Sequence, residues 1–120
     1  MLEEIIGRAV GLVRGVRAVY LIGMDGVPVA GVGDLDGLPM EVITASFPGI
    51  VKKLQHLNAE ADLEPPTEIM MTCPSARLVL RRVTDDYGLI ALLGPEGHLG
   101  HARYELLKAS MEVRGELSDA

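Results

Sequence analysis

A chain of 120 residues with 48% apolar content is the length of one domain with a proper hydrophobic core, which excludes a disordered tail. A formal net charge of −6 argues against nucleic acid and against an anionic membrane surface, since both require a basic face. The lone cysteine, Cys73, excludes an internal disulfide and fits a reducing cytoplasm.

Glu3 and Glu4 follow Met1-Leu2 directly, so the start does not read as a signal peptide, and no apolar run approaches the roughly 20 residues of a membrane helix. The expectation is a single cytoplasmic domain spanning 1–120, without membrane insertion. Three Tyr, one Phe and no Trp make its core aliphatic.

Residues 2–14, LEEIIGRAVGLVR, set Leu2, Ile5, Ile6, Ala9, Val10 and Val13 at helical spacing. Gly7 and Gly11 each weaken that helix by roughly 1 kcal/mol relative to Ala, so packing must hold it, and Gly15 is its expected C-cap. Strands at 17–23 and 28–33 then flank Met24-Asp25-Gly26-Val27. Asp-Gly between β-rich runs is a strong hairpin signal, because that turn needs backbone angles Gly adopts cheaply. Pro28 opens the second strand, which places it near an edge.

After the loop 34–39, Met40, Ile43, Phe47, Ile50, Leu54, Leu57 and Ala61 recur at spacings of three and four. That is the stripe of a helix meant to lie along another helix, and Val42, Ala45 and Val51 widen it. Pro48-Gly49 in its middle predicts two helical pieces or one bent helix. Past Pro65-Pro66 come strands at 67–73, 76–83 and 87–93, jointed at Pro74-Ser75 and Thr84-Asp85-Asp86. The strand 87–93 is apolar on both faces, as a central, doubly covered strand is. A last helix over 98–117 carries Leu99, Ala102, Leu106, Ala109, Val113 and Leu117 on one face. The order α-β-β-α-β-β-β-α predicts an α+β fold with one five-stranded antiparallel sheet and helices on both faces.

No constellation in the chain carries a reaction. GVGDLDG at 31–37 follows a hairpin strand and has the wrong glycine spacing for a dinucleotide fingerprint. Asp34-Leu35-Asp36-Gly37 lacks the remaining oxygen ligands of a calcium loop. His98 and His101 are two possible metal ligands, too few for a site. Cys73, among methionines, reads as a small buried or interface hydrophobe. Arg77, Arg81 and Arg82 read as an exposed strand face ahead of an arginine finger. There is no Gly-x-Ser-x-Gly elbow and no phosphate-cradling Gly-x-x-x-x-Gly-Lys loop. The expectation is a protein that is not an enzyme, with no cofactor and no metal.

The hairpin GVRAVYLIGMDGVPVAGVG resembles the first hairpin of the roadblock/dynein light-chain family. The central helix after a short polar loop matches too, as does GHLGHARYELLKASMEVRGEL, whose Gly100, Arg103 and Glu105 are similar to the opening of the family's closing helix. The resemblance covers nearly the whole chain, with Pro48-Gly49 as its departure. It implies a layering shared with profilin and longin domains, and a homodimer in which the strand after the central helix pairs with its twofold mate. Bacterial and archaeal members of this type partner small Ras-like GTPases, among them the regulator of the gliding-motility polarity GTPase. There the dimer acts by reshaping the GTPase's own site without donating an arginine.

The residues agree with that implication. IMMTC is too apolar for an open edge, so Ile69, Met70, Met71, Thr72 and Cys73 are expected at the dimer interface. The partner-binding face expected on the central helix has Phe47 or Val51 as anchor and Lys52, Lys53, Gln55 and His56 as its polar rim. The leading reading is a non-catalytic homodimeric adaptor or regulator of a small Ras-like GTPase. The alternative is a small-ligand sensor domain of PAS-like shape, which would need a cavity in the aliphatic core.

Overall fold

In the computed structural model, residues 1–33 and 40–118 are described, as α1 (Leu2–Leu12), β1 (Val16–Gly23), β2 (Pro28–Gly33), α2 (Met40–Glu60), β3 (Glu68–Thr72), β4 (Arg77–Arg82), β5 (Tyr87–Leu93) and α3 (Leu99–Ser118). The segment 34–39, with most of GVGDLDG and the acidic fragment Asp34-Leu35-Asp36-Gly37, lies outside the described residues. The strands form one antiparallel sheet in the order β2-β1-β5-β4-β3. This is the five-stranded α+β arrangement expected from the element order, with helices on both faces.

Strand alternation builds two cores from one sheet. Val19 and Leu21 of β1, Val79 of β4, and Leu89, Ala91 and Leu93 of β5 pack beneath α1 and α3, against Ile5, Ile6, Ala102, Leu106 and Val113. Tyr20, Ile22, Leu78, Leu80, Ile90 and Leu92 point the other way, against Phe47 and Val51 of α2. β5 lies in the middle of the sheet and is buried from Gly88 to Leu93, as its doubly apolar sequence requires.

The Asp-Gly hairpin forms as expected: Asp25 Oδ1 accepts the Val27 N–H at 3.0 Å, and Gly26 takes φ 90°, an angle an L side chain rarely tolerates. Helix α1 is shorter than 2–14. It ends at Leu12, its C-cap is Val13 in an extended conformation, and Gly15 at φ 82° instead makes the turn into β1. A side chain on Gly15 would collide with Gly97, so this turn sits directly against the loop that leads into α3.

Of the two outcomes that Pro48-Gly49 left open, two pieces or one bent helix, the split does not occur: α2 is one helical element of 21 residues with Pro48 inside it. Proline removes a helical donor and crowds the preceding turn. Here Phe47, Pro48 and Val51 are all buried, and their packing on the sheet offsets what the ladder loses. Tertiary burial overrides the local rule.

Candidate functional site

The sheet has two edge strands, β2 and β3, and β3 is the one that carries the IMMT run. Cys73 and Ala76 exchange backbone hydrogen bonds across the Pro74-Ser75 turn, and Arg82 donates to the Thr67 carbonyl at 2.9 Å. In an antiparallel ladder bonded pairs alternate, so with Ile69 opposite Leu80 and Met71 opposite Leu78, these two residues bond inward to β4. Glu68, Met70 and Thr72 therefore turn their N–H and C=O groups outward, onto a free edge.

The same alternation sorts the side chains. Ile69 packs with the α2-side core, and Met71 shares its face. Met70 lies on the face of α1 and α3. Met70 and Met71 are 47% and 45% exposed, so neither helix layer covers the edge strand. Thr72 and Cys73 are exposed as well. Cys73 is thus not a buried residue of this chain; it follows the last strand residue and opens the turn.

Glu68 anchors this edge to α3, a link the sequence did not disclose. Its Oε1 accepts Arg103 Nε at 2.9 Å and Arg103 Nη2 at 2.7 Å, and its Oε2 lies 3.5 Å from Arg81 Nη1. The Glu68 hydrogen bond, and then its charge, raise the Arg103 guanidinium above its usual value. Arg77 donates to the Gly97 carbonyl and Arg82 pairs with Asp85 at 3.6 Å. All three strand arginines thus have local partners.

On α2 the expected anchors are placed inward. Phe47 and Val51 are 5% and 3% exposed, beneath the helix. Their spacing gives them the sheet-facing side, so they cannot be surface anchors while α2 stays packed. Among the described residues, the large apolar side chains that the helix exposes are Val42, Ile50 and Leu57. Lys52, Lys53 and His56 are exposed and Gln55 is half-buried. Lys52 lines an open cleft of about 530 Å³ with Asp25, Asp85, Asp86 and Tyr87. Lys53, one residue on, turns about 100° away from it.

His98 has a structural role, in which its Nδ1 accepts the His101 N–H at 3.1 Å and caps the first turn of α3. Among the described residues no three His, Cys, Asp or Glu converge to hold a metal ion, and no helix is long and apolar enough to cross a membrane.

An antiparallel five-stranded sheet with α2 alone on one face, α1 and α3 on the other, and β3 open at its edge is an arrangement already known in solved structures. Myxococcus xanthus MglB matches with a TM-score of 0.91 at 15% identity, over 99% of this chain and 96% of that one. The fold is roadblock-like. A roadblock/LC7 domain from Streptomyces avermitilis matches with a TM-score of 0.86 at 19% identity, over 97% of each chain. The gliding protein MglB of Thermus thermophilus gives 0.89 at 16% identity, over 99% of this chain and 90% of its own. No family model matches the sequence, and no curated protein matches it. The roadblock fold thus persists here at sequence identities where only its layering and strand order are held in common.

Proposed function

We propose that this chain is a non-catalytic regulator of a small Ras-like GTPase that works as a homodimer through β3. The observation that carries this reading is the edge itself: three residues with outward backbone groups and two exposed methionines, unblunted by Pro, bulge or Lys within the strand. Antiparallel pairing about a dyad at Met70 uses the whole strand, with Met70 exchanging bonds with its mate and Glu68 facing Thr72 of the second copy. The two α2 helices then lie on one face of a continuous ten-stranded sheet. On that face Val42, Ile50, Lys53 and His56 offer an apolar centre with a basic rim to an acidic partner surface. The likeness to the gliding protein MglB supports the GTPase assignment by fold alone. The engaged state of Arg77, Arg81 and Arg82 supports an effect exerted without a donated arginine.

The PAS-like sensor reading finds little room. The apolar hollow between Met24, Val51, Ile69 and Leu80 measures about 10 Å³, the space of one water. The test is a purified small Ras-like GTPase from the same cell, titrated with this protein in its GTP- and GDP-loaded forms. Nucleotide-dependent binding by a dimer is expected. A monomer at micromolar concentration that binds neither form counts against the reading.

A further inference from the structure

The two adjacent thioethers of β3 have unlike surroundings. Met71 stands opposite Leu78 on the α2 side of the sheet, with Leu80 and Ala76 diagonal to it. Its same-face neighbours along the chain are Ile69 and Cys73. None of these side chains is a strong hydrogen-bond donor. Met70 stands opposite Val79 on the other face, where its diagonals are Arg77 and Arg81 and its strand neighbours are Glu68 and Thr72. Arg77 donates one hydrogen bond to Gly97 and Arg81 one to Glu68, out of the five N–H groups that each guanidinium carries. Donors therefore surround Met70 and are missing around Met71.

Pairing about a dyad at Met70 carries this division into a second copy. Met71 then faces Ile69 of the second copy, and the reverse, so that Ile69 and Met71 from both copies close into one apolar quartet. Met70 meets its own mate on the opposite face, between the Glu68 and Thr72 side chains. In the single protomer Met71 is 45% exposed, so its sulfur is open to water there. Only pairing makes its surroundings dry.

We infer that Met71 is an oxidation site that controls pairing: a peroxide converts it to the sulfoxide in the free protomer, and the modified edge no longer dimerises. The inference rests on the edge pairing proposed above. The Met71 sulfur lone pair attacks one oxygen of hydrogen peroxide, and the S–O bond forms as the O–O bond breaks. The thioether loses two electrons and becomes a sulfoxide; the departing hydroxide takes the proton of the transferred oxygen and leaves as water. The sulfoxide oxygen is a strong acceptor, which water satisfies in the protomer and nothing satisfies inside the quartet. At Met70 the same oxygen lies within reach of Arg77, Arg81 and Thr72, so pairing tolerates it. Pairing in turn shields Met71, so its oxidation runs through the free protomer and slows as protein concentration rises. Enzymatic reduction of the sulfoxide restores the edge.

The test is hydrogen peroxide added to dilute Cys73→Ser protein, which lacks the competing thiol. Peptide masses locate the sulfoxides, and Met111 on α3, 63% exposed, gauges the dose. Light scattering across a concentration series then reads the dimer. Oxidation of Met71 should raise the dimer Kd about a hundredfold, roughly tenfold for each of the two unsatisfied oxygens. Met71→Leu should stay dimeric at the same dose, whereas Met70→Leu should dissociate as its parent does. Without peroxide, Met71→Gln should weaken the dimer by a similar factor and Met70→Gln by less than about threefold. Both positions are about half exposed in the protomer, so glutamine there leaves the core intact. A dimer that persists with Met71 fully oxidised, a Met71 still reduced once Met111 has converted, or equal effects of the two glutamines would each overturn the inference. A parent that is monomeric before peroxide is added would overturn the edge pairing itself.

Discussion

Arg103 of α3 grips Glu68 of β3 through Nε and Nη2, at 2.9 and 2.7 Å to the same carboxylate oxygen. Because Glu68 begins the open edge strand, this pair fixes the angle at which that edge is presented. The Arg103 guanidinium is held above its usual value by the Glu68 hydrogen bond and then by its charge. A raised cation contributes stability that is fully present below its unfolded value and is lost only as pH rises through the folded one. Both lie in the strongly alkaline range of arginine, so this side of the pair is insensitive to pH throughout the neutral region. Glu68→Gln should lower the melting temperature only slightly, because Arg103 is half exposed and its side of the pair is screened by solvent. Hydrogen exchange should show faster opening at Ile69 and Met71, the amides that bond β3 to β4. Unchanged exchange there would mean that the strand does not depend on the clamp.

Phe47 belongs to the core that α2 forms with Ile22, Leu78, Leu80, Ile90 and Leu92. Phe47→Ala should therefore destabilise the fold by roughly 3–5 kcal/mol, lowering the melting temperature whether or not a partner is present. A variant that melts like the wild type yet loses a partner would restore Phe47 to the surface role its sequence position suggested.

Much of this architecture was legible because local signals agreed with one another. Asp25-Gly26 announced the hairpin, the 99/102/106/109/113 stripe announced the buried face of α3, and the double-sided apolarity of 87–93 announced a central strand. The errors arose where tertiary packing decided. Pro48-Gly49 left two pieces or one bent helix open, and only the packing decides for a single element, with Pro48 buried beside Phe47 and the helix continuing through it. On α2 the apolar residues outnumber what one sheet face covers, and periodicity alone could not assign Phe47 and Val51 inward and Ile50 and Leu57 outward. The IMMTC run marked an apolar strand, but not that it lies at the sheet edge with Met70 and Met71 exposed on opposite faces. Glu68 and Arg103 are 35 residues apart, so only folding brings them together. Asp62, at φ 59°, hides the turn that follows α2, because that angle is normally signalled by glycine.

Lys52 and Lys53 are adjacent in sequence and differ in surroundings. Lys52 is the one cation among the residues lining the cleft with Asp25, Asp85 and Asp86, so Lys52→Glu adds a fourth carboxylate there. It should cost under about 1 kcal/mol, measured as a melting temperature that recovers with added salt. Lys53 shares the outer side of α2 with Ile50, clear of those carboxylates. Lys53→Glu combined with Ile50→Asp should leave the melt nearly intact and weaken GTPase binding about tenfold, with the larger loss at low salt. Equal effects of the two lysine reversals on binding would argue against the assignment of sides.

The edge strand permits the sharpest contrast, because neighbouring residues of β3 direct their backbone groups oppositely. The Thr72 N–H faces the free edge, whereas the Met71 N–H belongs to the ladder with β4. Proline at 72 removes only the outward donor, and residue 71 before it is already extended, as proline requires. Thr72→Pro should therefore fold with a melting temperature within a few degrees of a monomeric reference such as Met70→Lys, while light scattering reports the mass of one chain. Met71→Pro breaks an inward bond and should destabilise the protomer itself by about 3 kcal/mol. If Thr72→Pro remains dimeric at micromolar concentration, the copies do not meet through β3. If it unfolds as readily as Met71→Pro, the outward donor at 72 is misassigned and the register at the edge is shifted by one residue.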